Sequence, residues 1–261
     1  MRKEAKMMMP VLFVGHGNPM NAIEETTFAV AWQEEAKRFA RPRAILCVSA
    51  HWETDGARVT TMERPRTIHD FYGFPEELYR VQYPAPGSPE LAARVRELAG
   101  ASEVATDESW GLDHGTWSVL RRMYPSADIP VVQLSLDRRH SPREHVTLAR
   151  TLQPLREEGV LVLGSGNLVH NLPLMHWGDD RPYPWAEEFD RLATELILAG
   201  ELEKLADYAE LGEAARLAIP TNEHYLPLLY ALALFIPGEQ VAFFAEGIVL
   251  GSVSMRSFRS T

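Results

Sequence analysis

Five histidines stand beside glycines or at the ends of apolar runs in this chain: His16 in VGHGNPM, His51 in VSAHWE, His114 in GLDHGTW, His170 in GSGNLVH and His224 in NEHYLPL. A neutral imidazole is a good ligand for Fe, Zn, Cu or Ni, and its second ring nitrogen can be fixed by a neighbouring acceptor. Four of the five follow a strand-like run or open a helix, where an α/β chain gathers residues distant in sequence. Their separations are long, so no local ligand motif such as HExxH forms, and any one of them alone is better read as structural. The coincidence of four on equivalent positions is what points to a metal centre. Glycines in GHG and GSG would let backbone approach closely around it.

Short aliphatic and β-branched runs alternate with amphipathic stretches, which predicts an α/β fold with a central, mostly parallel or mixed sheet flanked by helices. Strands are expected over residues 11–14, 43–49, 129–136, 160–163 and 240–244, which places His16 and His51 just past two strand ends and His170 a few residues past a third. Helices are marked by their ends. Ser88 and Pro89 open SPELAARVRELAG before Gly100, and Ser141 with Glu144 forms a capping box ahead of a helix that Pro154 kinks or stops. Further helices are expected over 184–199 and 201–211. A last one should begin near Thr221 or Asn222, with His224 in its first turn and Pro227 tolerated close to the start. The stretch GFPEELYRVQYPAPGSP reads as an ordered surface loop or lid.

Composition narrows the function classes. The chain of 261 residues is 46% hydrophobic, with 36 acidic against 26 basic residues, a formal charge of −10. No Lys/Arg block is present to neutralise phosphates, so nucleic acid and anionic membrane are poor partners. The apolar stretch near the N-terminus mimics a signal peptide, but Pro10 interrupts it and no small-residue cleavage site follows. The run 225–236 contains Pro227 and is too short to span a bilayer. The single cysteine, Cys47, sits in AILCVSA as a small core residue, in keeping with a reducing cytoplasm. One domain over residues 1–261 is expected, with residues 1–8 as a flexible extension.

Eight segments in order carry a resemblance: PVLFVGHGNPMN, VSAHWE, TIHDFYGFP, YPAPGSPELA, WGLDHGTW, SGNLVHNL, EHYLPLLYAL and EGIVLGSVSM. From about Pro10 to Met255 the chain resembles the bacterial and plant 4,5-DOPA extradiol dioxygenases, within the class III, LigB-type extradiol ring-cleavage superfamily. The resemblance implies a LigB-like fold and a non-haem Fe(II) site, sometimes holding Zn(II) in isolated proteins, that opens a catechol ring with O2. It makes His16, His51 and His224 the metal ligands. His170 becomes the acid/base or an additional ligand, and His114 a residue near substrate. In the protocatechuate branch the third ligand is a carboxylate. Here His224 is favoured, with Glu223 beside it as the other candidate. Asn18 stands in a motif that often reads HGSPM.

Three protein ligands on a six-coordinate Fe(II) leave room for two catechol oxygens and dioxygen. Histidine suits the proton transfers, and His170 is the first choice with His114 as its partner. Trp52, Phe71 and Tyr72 are candidates for a flat slot around an aromatic ring, while Trp117 is better read as core. Asp70 either makes a turn or orients a ligand histidine. His140, His145 and His176 are expected on the surface or on helix faces. Two rival readings remain: a zinc hydrolase, and a non-catalytic metal-binding protein on the same scaffold.

Overall fold

The computed structural model describes residues 8–179 and 181–261. The expected N-terminal extension lies outside them apart from Met8, which is half-buried. Among the described residues ten strands are present: β1 Val11–Gly15, β2 Ala44–Thr54, β3 Ala57–Thr60, β4 Val104–Asp107, β5 Val131–Asp137, β6 Val160–Gly166, β7 Val241–Ala245, β8 Ile248–Val249, β9 Val253–Ser254 and β10 Ser257–Ser260. The helices are α1 Thr27–Glu35, α2 Glu76–Tyr79, α3 Pro89–Ala99, α4 His114–Met123, α5 Pro142–Thr151, α6 Pro154–Glu157, α7 Pro184–Leu198, α8 Leu202–Ala206, α9 Glu213–Ala218 and α10 Leu226–Ala233.

Eight strands form one mixed sheet in the order β4-β3-β5-β2-β6-β1-β10-β7. Its centre, β5-β2-β6-β1, is parallel, and β10 closes against β1 antiparallel. Alternation along the central strands feeds two apolar layers. Val11, Phe13, Leu46, Val48, Val160 and Val162 pack on the side of α5, α7 and α10, whereas Leu12, Val14, Ile45, Cys47, Leu161 and Leu163 pack on the side of α4. Strands buried on both faces read as continuous apolar runs, which is why they were visible in the sequence.

Ser88 and Ser141 cap α3 and α5 as expected, and Pro154 starts α6 after α5 has ended at Thr151. Two expectations need correction. The helix expected over 201–211 is broken after Ala206, where the Asp207 carboxylate is held by Arg143 at 2.7 Å, and a 3-10 turn follows. The last helix begins at Leu226 rather than Thr221, because the His224 carbonyl accepts the N–H of Asn167 at 2.8 Å instead of joining a helical ladder. The proline-rich stretch is an ordered loop, one of the two readings its sequence allows. It carries α2, buries Leu78, Val81 and Tyr83, and the Tyr83 hydroxyl donates to the Tyr124 carbonyl at 3.0 Å.

Candidate metal centre

The carboxyl ends of β1, β2 and β6 and the N-terminus of α4 converge at one edge of the sheet, and the histidines meet there. His16 follows β1 directly. His51 is not past a strand end as expected but inside β2, where the register against β5 slips between Val48 and Glu53. Such an irregularity re-aims a side chain without ending the strand. His224 comes from the turn before α10, pressed against β6 so closely that a Cβ on Gly166 would stand 2.1 Å from the His224 carbonyl oxygen. Only glycine permits that approach.

One ring nitrogen from each of His16, His51 and His224 lies within 4.8 Å of the others. The His16 and His51 Nε2 atoms are 3.0 Å apart. His170 stacks on His224 with ring centres 3.4 Å apart and planes 11° from parallel. His114 lies 3.9 Å from His51, ring to ring. All five predicted histidines therefore share one site.

Burial, reinforced by His224, His114 and His170, holds the pKa of His16 well below the ordinary imidazole value. Burial acts the same way on His51, with His114 and His16 adding to it. His170 is pushed down to about 2, by burial and then by His224. His224 is lowered by burial, with Glu223 opposing. The rings are neutral at physiological pH, the form that ligates a metal.

Two of the tautomers follow from hydrogen-bond bookkeeping. Ser165 has one hydroxyl proton and donates it to the Gly115 carbonyl at 2.6 Å. Its oxygen, 3.0 Å from His16 Nδ1, must accept from that nitrogen, which leaves His16 Nε2 bare. The Glu223 carboxylate lies 3.0 Å from His224 Nδ1 and takes a second bond from Thr221, so His224 Nε2 is bare too. Burial works against ionisation of Glu223, yet its bond to His224 holds the carboxyl down at about 2. Glu223 thus stands behind His224 as an acceptor, with its Oε1 committed.

The two Nε2 atoms, 3.0 Å apart, are close enough to share a metal ion, or a hydrogen bond in its absence. Neighbouring ligands of a six-coordinate ion, with bonds of about 2.1 Å at right angles, are separated by about 3.0 Å. The histidine set therefore fits a divalent metal.

Other expected residues are placed less centrally. Phe71 is half-buried, packing edge-on against His114 at 5.5 Å and against Phe74 at 5.3 Å. Trp52 is 3% exposed and stacked on Trp110 at 5.7 Å, because the residue after His51 on a strand faces the other way. Tyr72 projects into solvent, 91% exposed. Trp117 is core, and donates to the Ile68 carbonyl. His145, on α5, is buried against the Tyr230 hydroxyl at 3.0 Å, and His176 pairs with Tyr183. Ser165 escaped the sequence reading although it lies in the GSG motif, since only the glycines there were given a role.

An α/β sheet whose parallel strand ends gather neutral imidazoles around bare nitrogens is the architecture of a metal-dependent enzyme. A family model described as the catalytic LigB subunit of aromatic ring-opening dioxygenase matches residues 10–246, and the chain belongs to this family. The 4,5-DOPA dioxygenase extradiol of Escherichia coli (strain K12) is 49% identical over 254 residues, covering 95% of this chain and 93% of the relative. That of Beta vulgaris is 42% identical over 228 residues, covering 84% of each. The crystal structure of an Escherichia coli K12 protein superimposes with a TM-score of 0.84 at 44% identity, covering 96% of this chain and 99% of that one. The protein is a LigB-type extradiol ring-cleavage dioxygenase, acting on an aromatic substrate with O2.

Proposed function

We propose that the chain is one catalytic domain that opens a small, DOPA-like catechol with Fe(II) held by His16, His51 and His224. Convergence of the three ring nitrogens, two of them 3.0 Å apart, carries this reading. Zinc has no redox chemistry to offer O2, which favours iron as the working metal, while isolated protein can still take up zinc. When bound, the iron supplies a common site for the catechol oxygens and O2 and passes electrons between them.

The chain's own residues do the rest. Ser165 and Glu223 hold His16 and His224 with Nε2 forward. His170, neutral and stacked on His224, accepts the proton of a catechol hydroxyl and returns it as the ring opens. His114 assists in binding or proton transfer, and Phe71 beside it forms one apolar wall for the aromatic ring. Nothing in their surroundings supports a substrate role for Trp52 or Tyr72. Among the described residues no helix is long and apolar enough to cross a membrane, and the lone buried Cys47 suits the cytoplasm.

The test is anaerobic loading with Fe(II), followed by oxygen uptake and absorbance across a panel of catechols. Stoichiometric oxygen use with a yellow ring-opened product is expected. Activity confined to hydrolysis by zinc-loaded protein would overturn the proposal.

A further inference from the structure

We propose that Asp70 is a positioning residue that sets two histidines at once, holding His51 and His114 in the Nδ1–H tautomer so that each keeps a bare Nε2. The inference rests on the reading of His51 as a ligand. Asp70 Oδ2 lies 3.2 Å from His51 Nδ1 and 3.0 Å from His114 Nδ1. Its other oxygen accepts the backbone N–H of His114 at 2.9 Å, which pins the carboxylate to the first residue of α4. An ionised carboxylate can only accept, so both nitrogens facing it must donate. Neither approach is aligned as a hydrogen bond, and Asp70 Oδ2 and His114 Nδ1 are both buried without a partner, so Asp70 acts here as the charged acceptor that both Nδ1 atoms face.

The site needs such a constraint. Without metal, His51 could satisfy itself by turning an Nε2–H toward the bare His16 Nε2 at 3.0 Å. That tautomer cannot ligate. Asp70 opposes it by offering a charged acceptor at the other end of the ring, where a charge-assisted bond is about twice as strong as a neutral one. The same oxygen makes His114 a proton acceptor at Nε2 rather than a donor. One side chain thereby prepares a ligand and a proton-handling residue together.

Long-range 1H–15N correlation spectra of the metal-free protein read the tautomers directly. In the wild type both His51 and His114 should be Nδ1–H, and either ring found as Nε2–H overturns the inference. Asp70→Asn places an amide N–H where an acceptor stood, so at least one of the two rings should switch. Zn(II) affinity, measured by chelator competition, should fall about 10- to 100-fold. Unchanged tautomers and affinity in a folded Asp70→Asn variant would also overturn it, and the wild-type spectrum decides even if that variant does not fold. Tautomers as expected in a protein that opens no catechol would sink the proposed function alone. Wrong tautomers in an active dioxygenase would sink this inference alone.

Discussion

Ser165→Ala removes a single oxygen from the wall of the site, and its consequences can be worked out from two contacts. The hydroxyl is fully buried, donates to the Gly115 carbonyl at 2.6 Å and accepts from His16 Nδ1 at 3.0 Å. Alanine leaves both partners buried and without water. Each buried polar group left unsatisfied costs about 1–3 kcal/mol, so a loss of about 2–6 kcal/mol is expected for the pair. In a domain of this size that lowers Tm by about 4–24 °C. A second effect is separable from the first. With no acceptor at Nδ1, His16 is free to move its proton to Nε2, and metal affinity should fall about 10- to 100-fold. That weakening removes about 1.4–2.7 kcal/mol of the stabilisation the metal gives. Thermal denaturation of wild type and variant, each with and without saturating Zn(II), measures both quantities. A variant that melts with the wild type, or that gains as much from metal as the wild type does, would show that Ser165 neither satisfies Gly115 nor fixes His16.

Three further outcomes are expected. His224→Ala should abolish metal binding, whereas Glu223→Gln should keep the metal with about tenfold weaker affinity; the reverse order would make Glu223 the ligand. His170→Ala should retain metal and lose about 10²–10⁴ in kcat if it moves the catechol proton, and iron lost on dialysis would mark it as a ligand instead. His145, outside the site, has its pKa lowered to about 4 by burial and then by His140. Its neutral form is favoured in the fold, so its contribution is full above about pH 6.5 and is lost as pH falls toward 4, amounting to about 3 kcal/mol. Urea unfolding from pH 7.5 to 4 should therefore be less acid-sensitive in His145→Gln, and equal slopes in the two proteins would refute the assignment.

The parts of the fold legible in the sequence were those whose signal is local. β1, β2, β5 and β6 are buried on both faces and read as apolar runs, and α3 and α5 carry their capping residues beside them. β3, β4 and β10 were missed for a physical reason. β10, Ser257–Ser260, spends two of its four residues on serines whose hydroxyls accept the N–H groups of Gly15 and Val11 at 3.0 Å. Its place in the sheet comes from pairing with β1, some 240 positions away, and not from an alternation visible in its own residues.

The site divides along the same line. Histidines at strand ends could be singled out because residue type and adjacent glycines are local properties. What makes them a metal centre is the choice of tautomer, which belongs to partners brought in by the fold: Ser165 from β6 for His16, and Asp70 from the loop before α2 for His51 and His114. Glu223 is the exception, being adjacent in sequence to the ring it serves, and for that reason it was visible as a candidate but could not be told from a ligand. Its Oε1 bond to His224 Nδ1 favours the supporting part. The identity of a ligand could be guessed from sequence, but which of its two nitrogens faces the ion is decided only by what packs behind it.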